Sequence, residues 1–282
     1  MSGVTSFDST ILIQRLDGTI YDLGKLGFRV KKFDVPFTNF QHNYKQVGNY
    51  GSKLISSQAQ HLVIPMVFDI IATDVHDYEL QKLLMMKIFR SDEPFYVINM
   101  RIPYIRWKVV AEAFSVIQLN NFWRASDVSV NLDCPDGYAE STATTLTPFT
   151  YDSESWGLGM NIPNGEDLNY SFTNQQSFRV YNASNIPLLA DDRPVTIRFN
   201  GTVSDKLTIQ NVTTGQEWNF NMHLAKTDNL VIKGLIPVKN NSQCYGNGLS
   251  DHGYIDFNPG WNEMKITGAT DFTISFETRF YY

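Results

Sequence analysis

Helical periodicity appears once in this sequence and short alternating runs occupy nearly everything else, which confines the chain to a mostly β architecture. The helical stretch runs from about Asp74 to Arg90. Leu80, Leu83, Leu84 and Ile88 recur there at helical spacing behind the N-cap candidates Thr73 and Asp74, and Ser91-Asp92-Glu93-Pro94 ends it. Around it lie strand-like runs. ILIQRL and TIYDL flank Asp17-Gly18, the signal for a hairpin with a type I′ turn. FYVINM, RWKVVAEAF and VSVNLDC follow the helix. Strands, one helix and strands again predict an α+β unit over residues 1–138, a β-sandwich carrying one packed helix.

Beyond CPDGY the composition shifts to ESTATTLTPFT, a Ser/Thr-rich stretch without apolar periodicity, and the domain boundary is placed here. Residues 139–282 contain no convincing helix. QSFRVYN, PVTIRFNG, KLTIQN, QEWNFNM, NLVIKG, GYIDFN, EMKITGA and FTISFETRFY alternate in polarity and are separated by Asn, Gly, Pro or Asp, the pattern of a second β-sandwich. KLTIQN-VTTG-QEWNFN predicts a hairpin with a Gly-bearing loop. Period-two alternation puts Phe272, Ile274, Phe276 and Phe280 on one face of the last strand, and Thr273, Ser275, Glu277 and Arg279 on the other.

Between Gly27 and Ile71, VKKFDVPF leads through the polar, aromatic NFQHNYKQVGNYGSK to HLVIPMVFDII. The middle has the makings of an extended hairpin arm with a turn-rich tip at Gly48-Asn49-Tyr50-Gly51. Phe37, Phe40, Tyr44 and Tyr50 lie along it. Two readings stand side by side: the aromatics serve contacts between subunits, or they are core residues of a long hairpin.

Function classes narrow by elimination. Hydrophobic residues make up 43%, aromatics 13% and charged residues only 18%, so the chain folds and has aromatic surface to bury. A net charge of −6 argues against sequence-general nucleic-acid binding, which needs a basic stripe. The opening MSGVTSFDST lacks the pattern of a signal peptide, and no apolar run reaches membrane-spanning length, so a soluble, cytosol-made protein without membrane insertion is expected. Cys134 and Cys244 are expected to be free thiols. Five Asn-x-Ser/Thr matches, at Asn169, Asn182, Asn200, Asn211 and Asn240, read as turn chemistry. His42, His61, His76, His223 and His252 have no metal-ligand spacing, no Gly-x-Ser-x-Gly elbow exists, and GLGMNIPNG is not set between strand and helix as a phosphate loop is. No catalytic residue, metal site or cofactor is therefore assigned. Asp251, Asp256 and Glu263 cluster in late loops and are read as solvated acids before glycosidase carboxylates. A carbohydrate-binding face is the more serious alternative, with Trp218, Tyr245 and Trp261 as ring-stacking candidates and Asn240–Gly253 as the long loop in which a ligand would be sought first.

The helix followed by EPFYVINMRIPYIRWKVVAEAF and closing near CPDGY, the LTIQNVTTGQEWNF hairpin, and the terminal GYIDFNPGWNEMKITGATDFTISFETRFYY together resemble the distal tail protein family of siphophages, in order and texture over nearly the whole chain. That resemblance implies a virion structural protein at the phage tail tip. The first domain would build a ring, typically of six copies, around the DNA channel, and DNA would pass without specific binding. A galectin-like second sandwich would face outward. The implied partners are further copies of the chain, the tail tube protein, tail-tip proteins and receptor-binding proteins. The rival reading is a carbohydrate-binding adhesion module for the host cell wall; a cell-wall hydrolase is the weaker one.

Overall fold

A computed structural model describes residues 7–119, 123–150, 155–244 and 249–282. The chain divides into two compact units, Met1–Glu140 and Ser141–Tyr282.

Among the described residues of the first unit, nine strands and one helix precede a two-residue strand, β10 (Glu140–Ser141), at the junction. Strands β1 (Ile11–Gln14), β2 (Ile20–Asp22), β3 (Phe28–Phe33), β6 (Leu62–Ile71), β7 (Phe95–Asn99), β8 (Ile105–Ala111) and β9 (Arg124–Cys134) run in the order β2-β1-β7-β8-β9-β6-β3. Every pairing on this path is antiparallel. The sheet wraps a single core. Ile11 and Ile13 of β1, Phe95 and Val97 of β7, Ile64, Met66, Phe68 and Ile70 of β6, and Val128, Val130 and Leu132 of β9 all join it. Phe89, just past the helix, lies between the two halves, 5.9 Å from the Phe68 ring and 6.1 Å from that of Phe95.

The helix α1 spans Val75–Ile88, and Asp74 is its N-cap, accepting from the Asp77 amide. Its buried face is only partly the expected one: Ile88 is buried and Leu84 packs half-buried against the core, as the spacing predicts. Tyr78, Gln81, Met85 and Ile88 face the sheet, while Leu80 and Leu83 are 64% and 62% exposed. Spacings of three and four fit both sets; the core takes the stripe that begins at Tyr78, and Leu80 and Leu83 are left over. At the other end, Arg15 is buried and donates to the Arg90 carbonyl at 2.6 Å and to Glu93 at 2.9 Å, closing the chain end of the helix from the first hairpin. That hairpin also departs from expectation. Arg15 and Thr19 pair across a three-residue loop, the Gly18 amide donates to the Arg15 carbonyl, and positive φ occurs at Gly18 but not at Asp17. This is a type I turn closed by a left-handed glycine; type I′ needs two consecutive positive φ values.

The second unit is all β among its described residues and is built around two long bent strands, β13 (Thr196–Asn211) and β18 (Gly260–Glu277). The runs PVTIRFNG and KLTIQN are thus one strand, as are EMKITGA and FTISFETRFY. The first half of β13 pairs with the last half of β18, with β11 (Ser171–Thr173) beyond β18 and β15 (Leu230–Lys233), β16 (Ile236–Lys239) and β17 (Ser242–Gln243) beyond β13. The second half of β13 pairs with the first half of β18, flanked by β14 (Gln216–Phe220) and β12 (Ser177–Asn182). Two strands thus serve both layers, and they bend where the register shifts between Asn200 and Thr208. Glycines make the bend possible: a Cβ on Gly201 would lie 2.3 Å from Phe272 Cβ, and one on Gly268, at φ 83°, would lie 1.8 Å from the Lys206 carbonyl oxygen. Phe272, Ile274, Phe276 and Phe280 are buried together, and the KLTIQN–QEWNFN hairpin closes with Asn211 opposite Gln216. GYIDFN forms no strand; only Phe257 makes a bridge, to Leu188. At Asn169, Asn182 and Asn211 the side-chain oxygen accepts the amide two residues on, which is turn chemistry.

Candidate functional site

The remaining strands of the first unit, β4 (Phe40–Gln46) and β5 (Ser52–Ala59), pair only with each other. Not one residue from Phe40 to Ala59 is buried. Phe37 and Tyr50 are each 99% exposed, Tyr44 64% and Phe40 43%, so the reading of these aromatics as hairpin core is overturned. A two-stranded ribbon has no interior; its side chains are buried only by something else.

The ribbon is two-faced. In its register Phe40 lies opposite Ala59, His42 opposite Ser57 and Tyr44 opposite Leu54, and cross-strand partners point the same way. Phe40, His42 and Tyr44 also follow one another along that face, with ring centroids 6.4 and 6.2 Å apart. The opposite face pairs Gln41 with Gln58, Asn43 with Ser56 and Lys45 with Lys53. The register shift between Asn43 and Tyr44 leaves Ile55 as an extra residue. This bulge keeps Leu54 on the aromatic face and twists the ribbon. At the tip the Val47 amide reaches the Gly51 carbonyl at 2.9 Å, with Gly48 at φ 62°. At the root, His61 Nδ1 lies 2.6 Å from Asp133, and a Cβ on Gly137 would fall 2.7 Å from the Gln60 carbonyl oxygen, so the returning chain is held tightly against the CPDGY turn. The arm is thus an apolar-faced ribbon on a fixed base.

A second apolar surface lies on the same unit. Between the C-terminal half of α1 and the segment after β8 runs an open groove of about 670 Å³, lined by Met85, Met86, Phe89, Phe114 and Val116, with Lys82 and Glu112 at its rim. Leu83, Met86 and Ile117 beside it are 62%, 68% and 78% exposed. Neither the unexpected leucine face nor this groove was legible as such, because which helical stripe is spare depends on which one the sheet takes.

Of the carbohydrate candidates, Trp218 and Trp261 lie among the described residues, in different surroundings. Trp218 is only 2% exposed and stacks on Phe220 at 5.9 Å inside the core; its place on an inward position of β14 removes it as a sugar platform. Trp261 is half-buried, with the Arg179 guanidinium 4.4 Å from its ring centre and Tyr181 edge-on at 5.0 Å. Tyr245 lies outside the described residues. Asp251 and Asp256 hold loops in place: Asp251 accepts from the Asn219 amide and side chain, and Asp256 from the Ala190 amide and Gln216. Among the described residues no group of three or more His, Cys, Asp or Glu side chains could hold a metal ion. Cys134 and Cys244 are buried free thiols. Burial pushes the Cys134 thiol up to about 11 and Cys244 upward too, away from nucleophilic reactivity.

Comparison with known proteins falls on the same architecture. Residues 16–134, a span that includes the arm, α1 and the groove, match the phage tail protein RIFT-related domain. The crystal structure of the Dit (gp 19.1) protein of phage SPP1, described as a paradigm of the hub adsorption apparatus in phages that infect Gram-positive bacteria, superposes with a TM-score of 0.70 at 13% identity, over 96% of this chain and 99% of that one. The baseplate of phage P2 in its activated, calcium-bound conformation contains a chain that matches with a TM-score of 0.50 at 9% identity, over 95% and 97%. No curated protein sequence matches. At these identities the structural likeness speaks for the fold, and the domain match speaks for the family of the first unit. The resemblance drawn from the sequence is therefore met in two ways: residues 16–134 match the phage tail protein RIFT-related domain, and the chain as a whole shares its fold with the SPP1 Dit protein.

Proposed function

We propose that copies of this chain form a closed ring, of six, at the distal end of a phage tail, linking the tail tube to tip proteins around the channel through which DNA leaves. The first unit, residues 1–138 on the sequence boundary, builds the ring; the second, residues 139–282, is a galectin-like sandwich that faces outward and carries docking loops for tip and receptor-binding proteins. The observation that carries the reading is the arm. An isolated two-stranded ribbon is marginal in water by itself, and this one offers Phe40, Tyr44 and Leu54 on a single face with nothing over them. A protruding element that fits a different surface on the next copy is a heterologous contact, and repeated heterologous contacts close into rings. Phe37, Phe40, Tyr44 and Tyr50 are the contact residues in this reading. The net charge of −6 suits a channel that must release DNA.

Native mass spectrometry of the purified chain tests it. At 32.2 kDa per copy, six copies weigh about 193 kDa under closed cyclic symmetry. A species of that mass that dissociates when Tyr44 and Leu54 are both changed to Ser supports the ring through the arm. A chain that is monomeric at every concentration, or whose oligomer ignores those changes, overturns it.

A further inference from the structure

Elsewhere on the second unit, surface charges are paired with one another: Arg198 meets Glu277 at 3.0 Å, Lys239 meets Asp228 at 3.1 Å and Lys226 meets Asp271 at 2.6 Å. The outer face of β12 and the first half of β18 is different. Arg179 and Glu263 are both exposed and directly opposite in the register, at a Cβ spacing of about 5 Å that ordinarily gives a cross-strand ion pair. They do not pair. The Arg179 guanidinium lies instead over the Trp261 ring, 4.4 Å from its centre, and Tyr181, opposite Trp261, meets that ring edge-on at 5.0 Å. Among the described residues the Arg179 N–H groups and the Glu263 carboxylate have no hydrogen-bonding or ionic partner. The side chains of Lys265 and Gln210, opposite each other one row further along, have none either.

We infer that this face is a binding site for a neutral saccharide. A sugar hydroxyl both donates and accepts, so a surface that reads several of them needs donors and acceptors side by side, next to an apolar plane for the C–H face of the ring. Arg179 and Lys265 supply donors, Glu263 an acceptor and Gln210 both, while Trp261 and Tyr181 form the apolar flank. An anionic ligand would meet Glu263 beside both cations. An apolar partner would leave four polar groups covered and unpaired. The hydroxylated, uncharged ligand suits both conditions. The seat is also fixed in advance. Glu263 is held through its backbone, its amide donating to Thr213 Oγ1 at 2.9 Å and its carbonyl accepting from the Val212 amide at 2.8 Å. The Tyr181 hydroxyl donates to the Asn161 carbonyl at 2.9 Å, and Asn262, fully buried between Trp261 and Glu263, donates to the Asn258 and Gly260 carbonyls. Groups held in place before binding lose little freedom on binding. Trp261 is one of the ring-stacking candidates named from sequence; Arg179 and Glu263 carry no such signal and are joined to it only by the strand register. The site lies within the second unit of a single copy and does not depend on the ring.

The test uses the full chain. It is screened against an array of short neutral oligosaccharides of glucose, galactose, rhamnose and N-acetylated hexosamines, with uronate- and phosphate-bearing glycans alongside, and hits are titrated by calorimetry. The expected result is a neutral oligosaccharide whose affinity falls about tenfold or more in Arg179→Met and in Glu263→Gln, with the melting temperature unchanged. Arg198→Met, at an exposed position on the other half of the sandwich, leaves that affinity as it was. If no neutral oligosaccharide binds at millimolar concentration, the inference is overturned and the ring reading is untouched. Binding that ignores both variants, or that Arg198→Met weakens equally, places the site elsewhere and overturns it as well. Binding confined to the acidic glycans, lost with added salt and retained in Glu263→Gln, marks an anion site and overturns the assignment to a neutral sugar.

Discussion

Removing Glu140 from the first unit strands a buried cation. Arg106 is 8% exposed; its Nε donates to Glu140 Oε1 at 2.7 Å, its Nη2 lies 2.5 Å from the same oxygen, its Nη1 donates to Gln14 at 3.1 Å, and its guanidinium stacks 3.7 Å over the Tyr96 ring. With Glu140→Ala, Gln14 and Tyr96 remain, but neither carries a countercharge. Breaking a buried ion pair from one side costs about 3–5 kcal/mol, because the partner's desolvation is no longer offset. Replacing both groups by leucine removes the charge along with its partner and is expected to cost about 1 kcal/mol or less by the same reasoning. Hydrogen exchange read by mass spectrometry suits a chain of two units, since it reports the first unit through its own peptides. For Glu140→Ala, the slowest amides of β7, β8 and β9 exchange faster by roughly 150-fold or more, the equivalent of about 3 kcal/mol. The Arg106→Leu, Glu140→Leu double variant stays within about tenfold of the natural chain. The reasoning fails if Glu140→Ala changes exchange by less than about tenfold, or if the double variant is worse than the single one.

Two further outcomes follow from the titrating groups. Asp228 takes hydrogen bonds from the Asn240 side chain, the Ala225 amide and Lys239, which hold its carboxyl down at about 2 against an ordinary value of 3.8. A depressed carboxyl adds stability that is complete above pH 3.8 and disappears as pH falls towards 2, so the second unit loses stability across that window, and Asp228→Asn flattens its acid titration curve there. Cys134, with its thiol pushed up to about 11, stays unmodified by iodoacetamide at pH 8 in the folded chain and is alkylated in denaturant; rapid native labelling would refute its burial.

What the sequence made legible was local, and what it hid was shared between distant parts. The cap at Asp74, the turn asparagines Asn169, Asn182 and Asn211 and the one-faced phenylalanines from Phe272 to Phe280 are each set by neighbours within a few residues, and each lies where its pattern placed it, whereas Asn200 sits inside β13. The long bent strands were hidden because Gly201 and Gly268 look like breaks, whereas each permits close approach by a second strand far away in sequence. The helix misled for a related reason. Tyr78 and Gln81 are weaker core signals than Leu80 and Leu83, yet they take the inward stripe, so hydrophobicity placed Leu84 and Ile88 correctly and misplaced Leu80 and Leu83.

That same inversion is informative about assembly. A leucine on a spare helical face and a tyrosine on an uncovered ribbon are individually unremarkable, since much of any protein surface is apolar. On the arm several share one face, and the polar alternatives were available: the reverse face of the arm is Gln, Asn, Ser and Lys throughout its paired length. The bulge at Ile55 sharpens the point. Were the same residues paired in an unbulged ladder, Ile55, not Leu54, would lie opposite Tyr44, and every residue of β5 from Leu54 towards the tip would turn to the other side, bringing Lys53 onto the aromatic face. The bulge thus keeps Lys53 off the surface on which Phe40, His42 and Tyr44 line up. A ribbon that only had to extend into solvent would need no such sorting of its two faces, and the proposed ring would give the aromatic face something to lie against.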